Sequence, residues 1–259
     1  MSLPFEILVN DLLPIFLVAS VGYLLSRVWR VDVESVSRIT FNALTPCLVF
    51  HLLITSTLGT AEIGRLALMT TIVVVGAGGL GWLVARVMRL DRTTSAAFLI
   101  AVMFANVGNY GLSVVMFAFG AEAMARASIY FVTNAVMALT LGVVIASGGR
   151  ARLSDALVRL LRSPVVYAIV VAAAVTLSGA TLPLYVERPV ALLAGATIPV
   201  MLLVLGMQFQ RQPWPARPVV VAVAVALVLV VRPAFGWLVS GVLALEGTAR
   251  QAALVESAM

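Results

Sequence analysis

Two asparagines and two glycines fall within six residues in Asn106-Val107-Gly108-Asn109-Tyr110-Gly111, deep inside an apolar stretch of the chain. Side-chain amides donate hydrogen bonds to carboxylates. Glycine is a poor helix former, and asparagine readily caps helices or adopts turns. At mid-membrane depth the run therefore reads as a helix interruption. Lipid cannot satisfy freed backbone groups, so such a stretch is tolerated only inside protein or against a water-filled cavity. The half-helix after it would turn a positive dipole end and free N–H groups toward the membrane centre. An anion is the natural guest, set against Asn106, Gly108, Asn109 and Gly111. The competing reading is plain helix–helix packing, for which glycine and asparagine are also used.

Other residues carry chemistry of their own. Arg232 stands beside Pro233 in the middle of an apolar segment. A central arginine costs at least about 2.5–3.5 kcal/mol on insertion scales, and such residues face the bundle interior or a cavity. A carboxylate substrate or Glu256 would be its partner; a structural ion pair or snorkelling is the alternative. Glu256 is placed either to titrate during transport or to lie at the interface. His51 is the one histidine; its ordinary pKa suits proton coupling, yet near the outer end of its span it reads more readily as a bystander. Pro46, after Thr45, and Pro199 sit at matched depths and each removes a helix hydrogen bond. They are placed to kink the helices that face the interrupted span. Asn134 would support that span or act as packing glue, Asp11 would face the outer headgroups, and Cys47 reads as a small apolar core residue.

These residues need elements to hold them, and composition says which kind. The chain has 259 residues, 62% of them hydrophobic and 11% charged, with a mean hydropathy of +1.11. Soluble domains carry about 45–50% apolar and about 25% charged residues. One cysteine can form no internal disulfide and leaves no cysteine-based metal site. The net charge of +6 is spread, not gathered into the patch that nucleic acid requires. The composition is that of an all-α polytopic membrane protein.

A bilayer core of about 30 Å needs about 20 apolar residues per helix. Apolar segments fall near 7–26, 35–55, 63–86, 94–120, 122–147, 163–180, 187–209 and 217–245, and a ninth starts near Arg250. No cleavable signal is visible at the N-terminus. Alternate connections hold Arg27, Arg30, Arg38, Arg86, Arg89, Arg92, Arg150, Arg152, Arg159, Arg162, Arg211 and Arg217, against Arg65, Arg126, Arg188 and Arg250 on the other side. The positive-inside rule places the N-terminus outside.

The chain also repeats itself. Gly81-Trp82-Leu83-Val84-Ala85-Arg86-Val87 is echoed 155 positions later by Gly236-Trp237-Leu238-Val239-Ser240-Gly241-Val242, and Leu90, Thr93, Ala97 and Leu99 pair with Leu245, Thr248, Ala252 and Leu254. Ala43-Leu44-Thr45-Pro46 resembles Ala196-Thr197-Ile198-Pro199. Five spans separate the copies, which inverts the second one; inverted repeats are typical of secondary transporters. The copies divide the chain into 1–149, holding spans 1 to 5, and 150–259, holding spans 6 to 8 and the start of span 9. Two complete copies would need about 310 residues, so the second repeat is expected to be truncated.

Asn106-x-Gly108-Asn109-x-Gly111-Leu112, Thr45-Pro46-Cys47-Leu48-Val49-Phe50 and Ile198-Pro199-Val200-Met201-Leu202 resemble the auxin efflux carrier family. Its bacterial members are malate- and malonate-permease-like, and its plant members are the PIN exporters. The resemblance runs from span 1 into the start of span 9. It implies two inverted five-helix repeats, with broken helices 4 and 9 crossing beside the substrate. Spans 1, 2, 6 and 7 would form a scaffold domain and spans 3–5 and 8–9 a transport domain that moves elevator-fashion. Asn106 matches the family asparagine that would bind a substrate carboxylate, and a homodimer through the scaffold is implied. Where the family pattern has proline after Gly-Leu, this chain has Ser113.

The expected function is secondary active transport of a small organic anion across the bacterial cytoplasmic membrane, driven by a proton or sodium gradient or by the membrane potential. A sodium-coupled symporter of the bile-acid type and a transport-dead sensor are the alternatives. Beyond membrane lipid and the transported ions, the residues imply no cofactor, metal or nucleic acid. Gly76-x-Gly78-x-x-Gly81 has the letters of a dinucleotide fingerprint, but no strand pattern or acidic partner accompanies it, and small-residue helix packing explains it better. No His-Glu-x-x-His or serine–histidine arrangement suggests an enzyme.

Overall fold

The computed structural model describes residues 7–29, 31–56, 58–104, 106–147, 158, 160–212 and 214–259. Arg30, Arg150, Arg152 and Arg159 of the orientation pattern lie outside the described residues, as does the side chain of Asp11. The described elements are helices, with no strand among them. In chain order they are α1 (Leu13–Trp29), α2 (Val33–Thr55), α3 (Thr60–Val87), α4 (Arg92–Met103), α5 (Leu112–Met137), α6 (Pro164–Ser178), α7 (Leu184–Arg211), α8 (Pro218–Val242) and α9 (Gly247–Ser257). Among the described residues, five stretches are long and apolar enough to cross a membrane, one of them being Arg92–Ala146. At 55 residues that stretch is far too long for one crossing. It divides after Met103 and again at Gly120, where φ of 78° and ψ of −172° break the helix inside α5. Glycine alone adopts that conformation cheaply. The chain is an all-α polytopic membrane protein.

The helices form two compact units. One gathers Met1–Thr57, Gly108–Ser128 and Ser163–Pro213; the other gathers Leu58–Val107, Ile129–Arg162 and Trp214–Met259. In the first, α1 crosses α7 so closely that a Cβ on Gly22 would run into the Leu203 carbonyl, and one on Gly206 into the Ala19 carbonyl. Small residues permit such approach where lipid offers no hydrophobic drive for association. Ser26 Oγ donates to Gln210 Oε1 at 3.3 Å along the same pair of helices.

In the second unit, the glycines of the false dinucleotide motif lie inside α3. The rings and chains of Phe235, Met103 and Leu99 occupy the space their side chains would need. That is the packing role expected of them.

Two prolines explain local widening of the helices. Pro46 follows the π-turn Thr40–Leu44, and Pro233 follows the π-turn Leu227–Val231. A proline offers no N–H and crowds the carbonyl four residues back. The preceding residue shifts its hydrogen bond five back instead: Thr45 N–H reaches Thr40 O, and Arg232 N–H reaches Leu227 O. Thr45 and Arg232 are thereby held at the same point of two equivalent bulges. Pro199, by contrast, lies within the unbroken run of α7.

The corner between α3 and α4 has a residue-for-residue counterpart between α8 and α9. Arg89 and Ala244, 155 positions apart, are the two non-glycine residues with positive φ among those described, at 52° and 50°. Leu90 N–H donates to Ala85 O at 3.0 Å and Leu245 N–H to Ser240 O at 2.9 Å. Met88 N–H donates to Val84 O and Leu243 N–H to Val239 O in the same way. Gly81 packs on Leu99 and Val102, and Gly236 packs on Ser257, the counterpart of Val102.

Candidate functional site

The interruption in the fourth span is real but sits slightly earlier than the glycines suggest. Helix α4 ends at Met103, and Phe104 is extended at φ −107°, ψ 95°. The chain then re-enters helix through a π-turn at Val107–Gly111 before α5 begins at Leu112. Gly108 and Gly111 are buried within that turn rather than forming the break. A π-turn keeps backbone groups bonded, which suits glycines buried in an apolar span better than an extended segment would.

The residues singled out from sequence are divided between the units. In the first, Asn109 is 8% exposed and its Oδ1 has no hydrogen-bond partner. Its backbone carbonyl accepts from Ser113 Oγ at 3.2 Å. Serine thus supplies a second donor at the position where the family pattern has a proline with none. Tyr110, next in the turn, meets Phe16 with ring centroids 6.4 Å apart.

Thr45 is buried, and its Oγ1 donates to Thr40 O at 2.8 Å across the bulge. Thr197 Oγ1 donates to Leu44 O at 3.0 Å, tying α7 to α2 between the two prolines. Pro46 is half-buried and Pro199 exposed. His51 is half-buried, with an Nδ1 that is covered and unpartnered.

Within the second unit, Asn106 is exposed to a cavity of about 790 Å³ lined by Phe98, Phe104, Val228 and other apolar side chains. Thr94 and Arg217 also line it. Arg217 also donates to Asp91 Oδ2 at 2.8 Å. This cavity is within the size range of small-molecule sites.

The same unit holds Arg232, 2% exposed, and Glu256 and Tyr130, both fully buried. Arg232 interacts electrostatically with both. Glu256 is therefore no interfacial residue. Tyr130 escapes a reading of the sequence, because one tyrosine among apolar residues of a span looks like any other aromatic anchor. One signal was available: it precedes Asn134 by four residues, which puts both on one helix face. Asn134 Oδ1 is likewise buried and unpartnered.

A family model described as membrane transport protein, the auxin efflux carriers, matches residues 7–155 and again residues 150–259. The chain belongs to the auxin efflux carrier family. No curated protein matches it. As a member of this family it is a multi-pass membrane transporter, in a family of carriers rather than enzymes.

Proposed function

We propose that this auxin efflux carrier family member is a secondary active transporter of a small organic carboxylate, working by elevator-type alternating access in the bacterial cytoplasmic membrane. The observation that carries this reading is the interruption between α4 and α5, with an amide on each side of the turn's start. Asn106 opens to a cavity, and Asn109 keeps a buried amide with an unused oxygen. The Asn106 NH₂ group, open to that cavity, is the donor for a substrate carboxylate. Gly108 and Gly111 line the turn, and Thr45, Pro46 and Pro199 belong to the helices that would face it. The division into two compact units supports an elevator: α1, α2, α6 and α7 fall in one, and α3, α4, α8 and α9 in the other, with α5 divided between them. The N-terminus would lie outside, and the first unit would form the dimer contact.

The test is uptake by the full-length protein in proteoliposomes, with labelled malonate, malate and indole-3-acetate under imposed proton, sodium and potential gradients. One of the three should accumulate. Asn106→Ala should cut its uptake by about 10–100-fold, the loss of a hydrogen bond to a charged group being worth about 1.5–3 kcal/mol. Binding without flux of any anion would overturn the carrier reading in favour of a sensor.

A further inference from the structure

The most concentrated set of unpartnered polar atoms lies away from the interrupted span. Nine buried side-chain nitrogens and oxygens among the described residues lack a hydrogen-bond partner. Six of them belong to Arg232, Glu256 and Tyr130. The arginine, the glutamate and the phenol interact electrostatically within one buried cluster, and buried polar groups of this kind call for partners.

Arg232 also lines a small cavity. The cavity beside Arg232 is about 10 Å³, walled by Ala77, Leu80, Val102, Leu227, Val231 and Phe235. That is about the volume one water needs. An organic anion does not fit in that cavity. A sodium ion is also disfavoured, because it would have to share the site with a guanidinium that never loses its charge. A proton needs no room and has one acceptor in the cluster, the Glu256 carboxylate.

The fold does not require these charges. The α3–α4 corner has the same backbone, and 155 positions before Arg232 and Glu256 it carries Ala77 and Ala101. Ala77 is buried as Arg232 is. Two alanines suffice to build the corner once; the second copy carries a charged pair at a heavy desolvation cost.

We propose that Arg232, Tyr130 and Glu256 form the proton-coupling site of this carrier, with Glu256 taking up one proton for each substrate anion carried and releasing it on the opposite side. The proposal rests on the transporter reading above. The step is carboxylate plus proton to carboxylic acid; no other bond changes, and the proton comes from and returns to water. Arg232 stays charged throughout. With Glu256 ionised the cluster is neutral. Protonation leaves the Arg232 charge uncompensated, which favours an anion in the same unit, where Asn106 sits. Uptake of proton and anion are then mutually reinforcing.

The elements packed on α9 are α8 and α3. From α8 Arg232 acts on Glu256, and from α5 Tyr130 is coupled to it. The charged residues of α3 are Glu62, Arg65 and Arg86. On α9 itself, Arg250 lies over the Trp237 ring at 5.4 Å.

The experiment uses the full-length protein in proteoliposomes with an internal pH dye and the labelled anion that the wild type transports. Wild-type uptake should be accompanied by proton movement, and a pH gradient should sustain about tenfold accumulation per pH unit for one proton per anion. Glu256→Gln should keep anion exchange across the membrane but lose pH-driven accumulation. Glu256→Gln leaves a buried arginine alone, so Arg232→Met/Glu256→Met, which removes both charges, serves as the second variant with the same expectation. Absence of any wild-type flux would sink the transporter reading itself. Wild-type flux without proton movement would overturn only the coupling site. So would flux driven by sodium alone, or pH-driven accumulation surviving in either variant.

Discussion

The α3–α4 and α8–α9 corners are one piece of backbone used twice. Arg89 and Ala244 take the same left-handed turn, and the hydrogen bonds that close both corners run between equivalent residues. The side chains at equivalent positions differ. Ala77, Ala101 and Val102 in the first are replaced by Arg232, Glu256 and Ser257 in the second. The aromatic pairing differs too: Arg86 lies over Trp82 one turn away on the same helix, whereas Arg250 reaches from α9 to Trp237 on α8. The close packing of Gly81 and Gly236 suffices to shape the corner, so the charges of the second copy were added to a frame that already works.

The largest effect that tests this contrast comes from giving the second corner one residue of the first. Arg232→Ala leaves Glu256 buried without its counter-charge. Breaking such a pair typically costs about 3–5 kcal/mol. Changing Glu256→Ala as well removes the stranded charge, so the double variant should unfold at a higher temperature than the single one despite the larger cavity. Thermal unfolding in detergent measures both. A single variant as stable as the wild type would mean that the two charges do not depend on each other.

A smaller effect separates the two glycines. A Cβ on Gly236 would lie 2.8 Å from Ser257 Oγ and 3.2 Å from its Cβ, while one on Gly81 would meet Leu99 Cδ2 at 3.3 Å and Val102 Cγ1 at 3.4 Å. Leucine can rotate away; serine on a buried helix face has less freedom. Gly236→Ala should therefore cost about 1–3 kcal/mol, the usual range for overpacking, and Gly81→Ala clearly less. Equal melting temperatures for the two variants would show that the corners are equally loose.

Much of this frame is legible in the letters. Hydropathy gives an all-helical membrane protein, and Gly-Trp-Leu-Val at two places announces the paired corners. The Arg232 charge stands out because nothing near it in sequence excuses it. Other features are hidden for physical reasons. A π-turn has no hydrophobic period of its own, so the bulges before Pro46 and Pro233 are visible only as prolines. The break at Phe104 carries no breaker residue, whereas Gly108 and Gly111, which look like the breakers, are accommodated in a helical turn. Asn106 and Asn109 read as one pair, yet the two units divide between them. Tyr130 carries no mark of its role, since burial and missing partners are properties of the folded neighbourhood.

The smallest effect concerns how each corner starts its second helix. Asp91 caps α4, accepting from Thr94 N–H at 3.0 Å and Thr94 Oγ1 at 2.7 Å, and it accepts from Arg217 as well. Glu246, its counterpart, begins α9 without any side-chain capping bond. The Thr94 hydrogen bonds, followed by the Arg217 contact, hold the Asp91 carboxyl well below the usual carboxylate range. A carboxyl depressed on folding stabilises the folded state above its unfolded pKa of about 3.9, and that contribution fades as pH falls toward the folded value. Asp91→Asn keeps an acceptor for Thr94 but loses the charge. Its melting temperature should sit modestly below the wild type near pH 6, and the gap should narrow progressively as pH falls below about 4, where the unfolded-state aspartate takes up its proton. A gap for Asp91→Asn that stays constant with pH would mean that its charge adds nothing beyond the cap, and that the two corners differ at this point only in hydrogen-bond geometry.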